Sequence, residues 1–358
     1  MSDQLKNIRA RIDALDDRIV ELLNERAALA QQTGHSKRGA KYRPEREAQV
    51  LRRLVARNRG PLSGQALVRL YIEIMSACRA LEDSITVAYL GPQGTFSEEA
   101  AIKQFGGHAV LQPCASIDAV FRQVEAGQAG YGVVPVENST EGSIGRTHDL
   151  LLATPLRICG EVLLPVHQCL MSRSGKAAGV KKILSHQQSL AQCHEWLNQR
   201  YPAAKRMPVV SNAEAARMAS RDAAAAAIAS RTAAAVYGLK IIASSIEDEP
   251  QNTTRFVVIA VHEAGASGKD KTSLVMSTRN APGAIHALLT PLAMHGVSMT
   301  RLESRPARTG RWEYLFYVDI EGHQHDANVA QALKELGGKA AFLKNLGSYP
   351  AGTASAEG

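Results

Sequence analysis

Leu5, Ile8, Ile12, Leu15, Ile19 and Leu22 follow one another at 3-4-3-4-3 spacing, an unbroken apolar seam along one face of an α-helix. No proline interrupts the chain before Pro44. One helix from about residue 4 to 36 would therefore run roughly 50 Å at 1.5 Å per residue. Such a rod cannot bury its stripe alone. Two shorter helices, expected at about 45–58 and 63–83, cannot cover it fully, so residues 1–85 are predicted to form an all-α domain that pairs with a second copy.

The rest of the chain is too long for one core. At 358 residues, length alone suggests two or three domains. Residues 86–262 alternate apolar strands with helices, which is α/β organisation. Strands are expected at 131–136, 157–171, 183–185, 208–210, 225–229 and 240–243, and the long middle excursion suits two lobes around a cleft. Residues 263–271 read as a polar linker. Residues 272–348 have the order strand, helix, strand, strand, helix, strand, a ferredoxin-like βαββαβ module. Residues 349–358 are expected to be a disordered tail.

Charge and cysteine content exclude several function classes. The net charge is +8. Residues 1–85 hold 16 basic and 11 acidic residues, with Tyr42 and Tyr71 as the aromatics. Spread among acids and with little to stack on, these basic residues argue for small anionic ligands and against nucleic acid. The five cysteines are an odd number without a C-x-x-C pair, as expected of reduced, buried thiols in a cytoplasmic protein. The polar N-terminus has no signal-peptide core, and no apolar run is long enough to cross a membrane. The eleven histidines show no metal-ligand spacing, with His323 and His325 in an expected turn. No phosphate loop or dinucleotide fingerprint occurs, so neither a metal nor a cofactor is expected.

In the first segment Arg26 and Lys37 are eleven apart, within about 20° on one helix face. Arg9 points roughly 100° away from Arg26, so it can join that pair only across an antiparallel dimer. A solvated helix surface would carry such charges too. The full spacing decides between them: Ile8-Arg9, Ile12, Leu15-Asp16, Leu22-Leu23, Glu25-Arg26, Lys37, Arg46-Glu47 and Leu81-Glu82 resemble the all-helical chorismate mutases. The resemblance implies that Arg26, Arg46 and the Arg9 of a partner chain bind the two carboxylates of chorismate. It implies that Lys37 stabilises charge on the breaking ether oxygen and that Glu47 holds the ring hydroxyl, by electrostatic preorganisation. Glu82 stands where the family often has a glutamine that donates to the ether oxygen, and Cys78 where it often has serine.

The second segment carries four motifs in order. They are Gly91-Pro92-Gln93-Gly94-Thr95-Phe96-Ser97 after a strand, Val136-Glu137-Asn138-Ser139, Ser185-His186 with Gln192-Cys193, and Thr254-Arg255-Phe256. Together they resemble prephenate dehydratase, a periplasmic-binding-protein-like two-lobed fold. Loss of carbon dioxide and the ring hydroxyl from prephenate needs a donor for the leaving oxygen and cations for carboxylates. The resemblance implies Thr254 as that donor and Arg255 as a carboxylate clamp. It places Asn138, Ser185 and Gln192 around the ring, with Thr95, Glu137, Ser139, Phe256 and His186 nearby. A threonine hydroxyl is a weak acid, so orientation in a dry site is its expected part. Histidine is the general acid by type, but His186 equally fits a structural role after a strand.

In the third segment Pro282-Gly283-Ala284-Ile285 and Glu303-Ser304-Arg305-Pro306 resemble the ACT module of feedback-regulated dehydratases. This implies phenylalanine as effector at Gly283, Ala284, Ile285, Glu303, Ser304, Arg305 and Pro306, with Ile285 in place of the usual leucine. The whole chain is thus expected to be a homo-oligomer, at least a dimer, acting on chorismate and prephenate. Two rivals are a dehydratase with a non-catalytic helical arm and a non-enzymatic amino-acid sensor. A carboxylate cannot donate a hydrogen bond, so Glu82 can replace the glutamine only when protonated. Mutase activity should then fall as pH rises above neutrality, and Glu82→Gln should flatten the rate–pH profile. A profile unchanged in that variant refutes the role.

Overall fold

The computed structural model describes residues 3–36, 42–279, 281–307 and 314–352. The first segment comprises α1 (Asp3–Ser36), α2 (Pro44–Arg57) and α3 (Gly64–Ala80). Pro44 occupies the first turn of α2, where a missing N–H costs nothing. Glu45 and Glu47 face the positive end of the same helix. Ser63 caps α3 by accepting from the Ala66 amide at 3.1 Å. The seam of α1 stays open within one protomer: Ile8, Ile12, Leu15, Ile19 and Leu22 are each about half exposed.

The second segment begins with β1 (Thr86–Leu90), α4 (Phe96–Phe105), β2 (Val110–Cys114), α5 (Ile117–Glu125), β3 (Tyr131–Asn138), β4 (Gly142–Ser143), α6 (Gly145–Ala153) and β5 (Arg157–Pro165). A second lobe follows: β6 (Cys169–Ser172), β7 (Lys182–His186), α7 (Gln187–Gln192), α8 (His194–Arg200), β8 (Lys205–Val209), α9 (Asn212–Ala219), β9 (Ala225–Ala229), α10 (Arg231–Val236) and β10 (Lys240–Ala243). The chain then returns to the first lobe as β11 (Thr253–Ala260). The first sheet has the order β2-β1-β3-β11-β5, with β4 on β3, and the second has β10-β6-β9-β7-β8.

The two lobes and their cleft match expectation, but the strand expected over 157–171 is two strands in different sheets. The break at 166–168 is one crossing between lobes, and 244–252 is the other. The crossings are bonded to each other, Val166 N to Asn252 O at 2.8 Å and Ile246 N to Gln168 O at 3.0 Å. Strand β2 was not anticipated; it is a largely exposed edge containing Pro113, a pattern with little apolar signal.

The third segment has β12 (Asp270–Ser277), α11 (Ala284–Met294), β13 (Met299–Pro306), β14 (Tyr314–Glu321), α12 (Ala327–Lys339) and β15 (Phe342–Pro350), in a sheet of order β13-β14-β12-β15. Strands β12 and β14 are buried on both faces, and an irregularity in the β12–β15 pairing lies between Ser273 and Leu274. Leu274, Met276 and Val318 pack under the two helices. Val275, Tyr317, Leu346 and Tyr349 join Leu151, Leu156 and Ile158 of the first lobe in one core. Tyr349 and Pro350, expected in a tail, therefore end a buried strand, and 353–358 lie outside the described residues.

Helices and first lobe are joined by Tyr42, 1 % exposed. Its ring lies 4.8 Å from Phe105 and 5.2 Å, edge-on, from Tyr131. Its hydroxyl accepts from Gln104 Nε2 at 2.7 Å, and Arg79 sits over the ring at 5.2 Å. Loss of a buried aromatic ring costs about 3–5 kcal/mol, so Tyr42→Ala should lower unfolding stability by about that much. Tyr42→Phe, which forfeits one hydrogen bond, should cost about 1 kcal/mol. Urea titration of both variants checks this.

Candidate functional site

Between the lobes lies a cavity of about 360 Å³. Thr254 and Asn138 form its floor, Thr95 and Phe96 one side, and Gln168, His186, Gln192 and Asn212 the other. Asn138 Nδ2 donates to Thr254 Oγ1 at 2.9 Å and to Asn252 Oδ1 at 2.8 Å. Asn138 Oδ1 accepts the amides of Thr140 and Glu141 at 3.0 and 3.2 Å, which fixes the amide orientation. With its oxygen already accepting, the Thr254 hydroxyl keeps its own proton for a group in the cleft.

The turn before α4 closes one end. Thr95 Oγ1 donates to Leu90 O at 3.0 Å and accepts from Glu98 N at 3.4 Å. Glu98 reaches back to Gly94 N at 2.6 Å, one residue before the N-cap, so the capping box is shifted. Gly94 has φ +83°, and a Cβ there would lie 3.0 Å from the backbone of Ala233 in the other lobe. The turn thus touches both lobes, and only glycine permits it.

Not every expected residue reaches the cleft. Ser185 is fully buried behind its wall, donating to Ile228 O at 2.7 Å and lying 2.9 Å from Asn212 Oδ1. Asn212 Oδ1 accepts the His186 amide at 3.0 Å, and its Nδ2 donates to Ser189 Oγ at 2.8 Å. Phe256 belongs to the core with Tyr89 and Phe105. Ser139 bonds Thr253 N at 2.9 Å and ties β3 to β11. Glu137 and Arg255 point the other way. Neighbours on a strand face opposite sides, and Arg255 is held by Glu161 at 2.6 Å, Asp319 at 2.6 Å and Tyr349 at 2.9 Å. Burial works against its charge, yet Tyr349, Asp319 and Glu161 hold its pKa above the ordinary value. In this structure Arg255 therefore faces the ACT module and not the cleft.

In the helical segment Arg26 Nη1 donates to Cys78 Sγ at 3.0 Å. Glu47 is paired with Arg79, which also donates to Phe105 O at 2.6 Å. Burial pushes the Glu47 carboxyl above its ordinary 4.5, with Arg79 opposing. Arg46 is exposed on α2, and Glu82 lies in the turn after α3, its amide on Arg79 O at 2.9 Å. Arg9 and Arg26 sit about 25 Å apart along α1, too far to share one ligand in one protomer. Lys37 lies outside the described residues.

In the third segment Gly283 caps α11 with φ +76°, and Ile285 is exposed beside it. The 303–306 strand splits by parity. Glu303 accepts from Ser143, and Arg305 donates to Gly145 O at 2.7 Å and approaches Asp149 at 3.4 Å. These two clamp the module to the first lobe, while Ser304 and Pro306 face outward with Ala284 left at the turn.

Family models for chorismate mutase type II, prephenate dehydratase and the ACT domain match residues 8–83, 87–264 and 272–338. A bifunctional chorismate mutase/prephenate dehydratase from Neisseria gonorrhoeae is 55 % identical over 346 residues, covering 96 % of each chain. The Escherichia coli K12 protein of the same description is 34 % identical over 376 residues, covering 96 % of this chain and 95 % of that one. The chain belongs to the bifunctional chorismate mutase/prephenate dehydratase family. A prephenate dehydratase from Arthrobacter aurescens, solved in complex with L-Phe, superposes with TM-score 0.69 at 35 % identity, over 75 % of this chain and 90 % of that one.

The dehydratase cleft adds residues that sequence reasoning missed. Gln168, 1 % exposed, donates to Ser189 Oγ at 3.1 Å and Gln192 Oε1 at 3.2 Å. Its own Oε1 is buried without a hydrogen-bond partner among the described residues. Its signal was a polar pair, His167-Gln168, interrupting an apolar run. Asn212 opens α9 behind the ordinary cap Ser211 and had no separate signal.

For Glu47 the sign follows from its raised pKa. The folded state holds the proton more tightly than the unfolded one, so stability from this group is present at low pH. It is lost as pH rises from about 4.5 through the folded pKa. Glu47→Gln should therefore gain stability relative to the parent across that interval, as read by denaturation at several pH values.

Proposed function

We propose that Arg26, Arg46, Glu47 and Glu82, with Lys37 and a partner chain's Arg9, hold chorismate through the Claisen rearrangement to prephenate. Prephenate is then dehydrated in the cleft between the lobes. The observation that carries the second assignment is the Asn138–Thr254 bond at 2.9 Å, which leaves one directed hydroxyl proton on the cleft floor. As carbon dioxide departs and the ring becomes aromatic, the bond from the ring carbon to its hydroxyl breaks, and the departing hydroxide takes a proton from solvent to become water. Thr254 donates a hydrogen bond to that oxygen. Aromatisation supplies much of the driving force, so orientation suffices where acidity is weak.

With Arg255 turned away, the substrate's carboxylates are met by helix N-termini. Phe96 and Ser97 of α4 and Ser211 and Asn212 beside α9 line the cleft, and such amides favour anions. Gln168 Oε1, Gln192 and His186 surround the ring.

Phenylalanine acts as effector at the ACT domain, in keeping with the L-Phe complex of the Arthrobacter relative. Gly283, Ala284, Ile285, Ser304 and Pro306 are the residues left open to it. Its effect must come from different affinities for two states. The half-exposed seam of α1 supports pairing of two copies through the mutase helices, which would bring Arg9 to the partner's site.

The test supplies chorismate or prephenate and follows phenylpyruvate, with and without phenylalanine. Thr254→Ala should lower dehydratase kcat by about 10²–10³ and leave mutase turnover unchanged. Dehydration at the parent rate in that variant would sink the assignment.

A further inference from the structure

The strands under the dehydratase cleft carry a second row of residues on their other side. In the β3–β11 ladder Thr254 is opposite Asn138 and Arg255 opposite Glu137. The first pair faces the cleft. The second faces the ACT sheet, where Arg301 Nε meets Glu137 at 2.9 Å and Asp319 meets Arg255 at 2.6 Å.

We infer that Arg255 is a positioning residue for the dehydration step, held by Asp319 and Tyr349 of the ACT domain, and that this contact sets where Thr254 stands. The inference rests on the cleft reading in which Thr254 faces the leaving hydroxyl.

Arg255 has no route to substrate. Its side chain is 11 % exposed, and the cavity left beside it, Arg301 and Asp319 measures about 20 Å³, room for about one water. All of its nitrogens are engaged by fixed groups. Glu161, which takes Nε, is itself held by Lys271 at 2.9 Å and by the Gly352 amide at 2.8 Å. Tyr349 shares its hydroxyl with Ser273 at 2.6 Å, and Ser273 also donates to Asp319. Asp319 is correspondingly held below the ordinary carboxylate range by Arg255 and Ser273, against the effect of burial.

Two ACT strands and the dehydratase strand β5 thus fix one guanidinium. Its neighbour along the backbone is Thr254, so a shift at the ACT sheet moves the cleft floor without touching the substrate.

The experiment compares Asp319→Asn, Tyr349→Phe and Arg255→Lys with Thr254→Ala in the full-length protein. Asp319→Asn should lower dehydratase kcat by about tenfold to a hundredfold, with KM within about twofold and mutase turnover unchanged. Tyr349→Phe should do the same more weakly, and it decides the matter if Asp319→Asn does not fold. The double variant Arg255→Lys/Asp319→Asn should be little worse than Arg255→Lys alone, as for one shared contact.

A raised KM with unchanged kcat in Arg255→Lys, with Asp319→Asn and Tyr349→Phe at parent kcat, would overturn the inference and return Arg255 to the substrate. Dehydration at the parent rate in Thr254→Ala would instead condemn the cleft reading on which it stands.

Discussion

The pairing of β3 with β11 is the constraint on which the dehydratase half depends. A strand presents successive side chains to opposite sides, so one hydrogen-bonded ladder serves two neighbours. Its cleft side carries Asn138 and Thr254, and its far side carries Glu137 and Arg255. Stripping one partner from a buried ion pair costs about 3–5 kcal/mol, so the far side holds the ladder firmly in register. The cleft-side groups inherit that rigidity and need no long side chains to stay in place.

The mutase helices are attached with similar economy. Tyr42 inserts one ring into the first lobe, and Arg79 meets Glu47, the Tyr42 ring and the Phe105 carbonyl at once. One guanidinium therefore touches a carboxylate of α2 and the C-terminal end of a dehydratase helix. The two enzymes share a core boundary as well as a polypeptide.

Periodic features were legible in the sequence because burial writes them directly. The seam of α1, the two-lobed alternation and the βαββαβ order of the ACT domain all appear where their spacing places them. Motif strings were legible as identity but not as geometry. Thr254 and Arg255 are adjacent letters on opposite faces, and Glu303 and Arg305 separate from Ser304 and Pro306 by the same parity. Which face meets which neighbour is settled only when strands pair across long stretches of chain. Tyr349 follows the same logic: in a stretch of small and polar residues it looked like tail, yet its partner Arg255 lies 94 positions away. Gln168 was hidden in an apolar run whose break marks a change of lobe.

The doubled crossing between lobes has a mechanical meaning. Because Val166 is bonded to Asn252 and Ile246 to Gln168, the two connections cannot slide past one another. Asn252, in one crossing, also accepts from Asn138 on the cleft floor at 2.8 Å, and Gln168, in the other, lines the same cleft. The strap between the lobes is therefore itself part of the cleft lining, so a substitution there would reach link and site together.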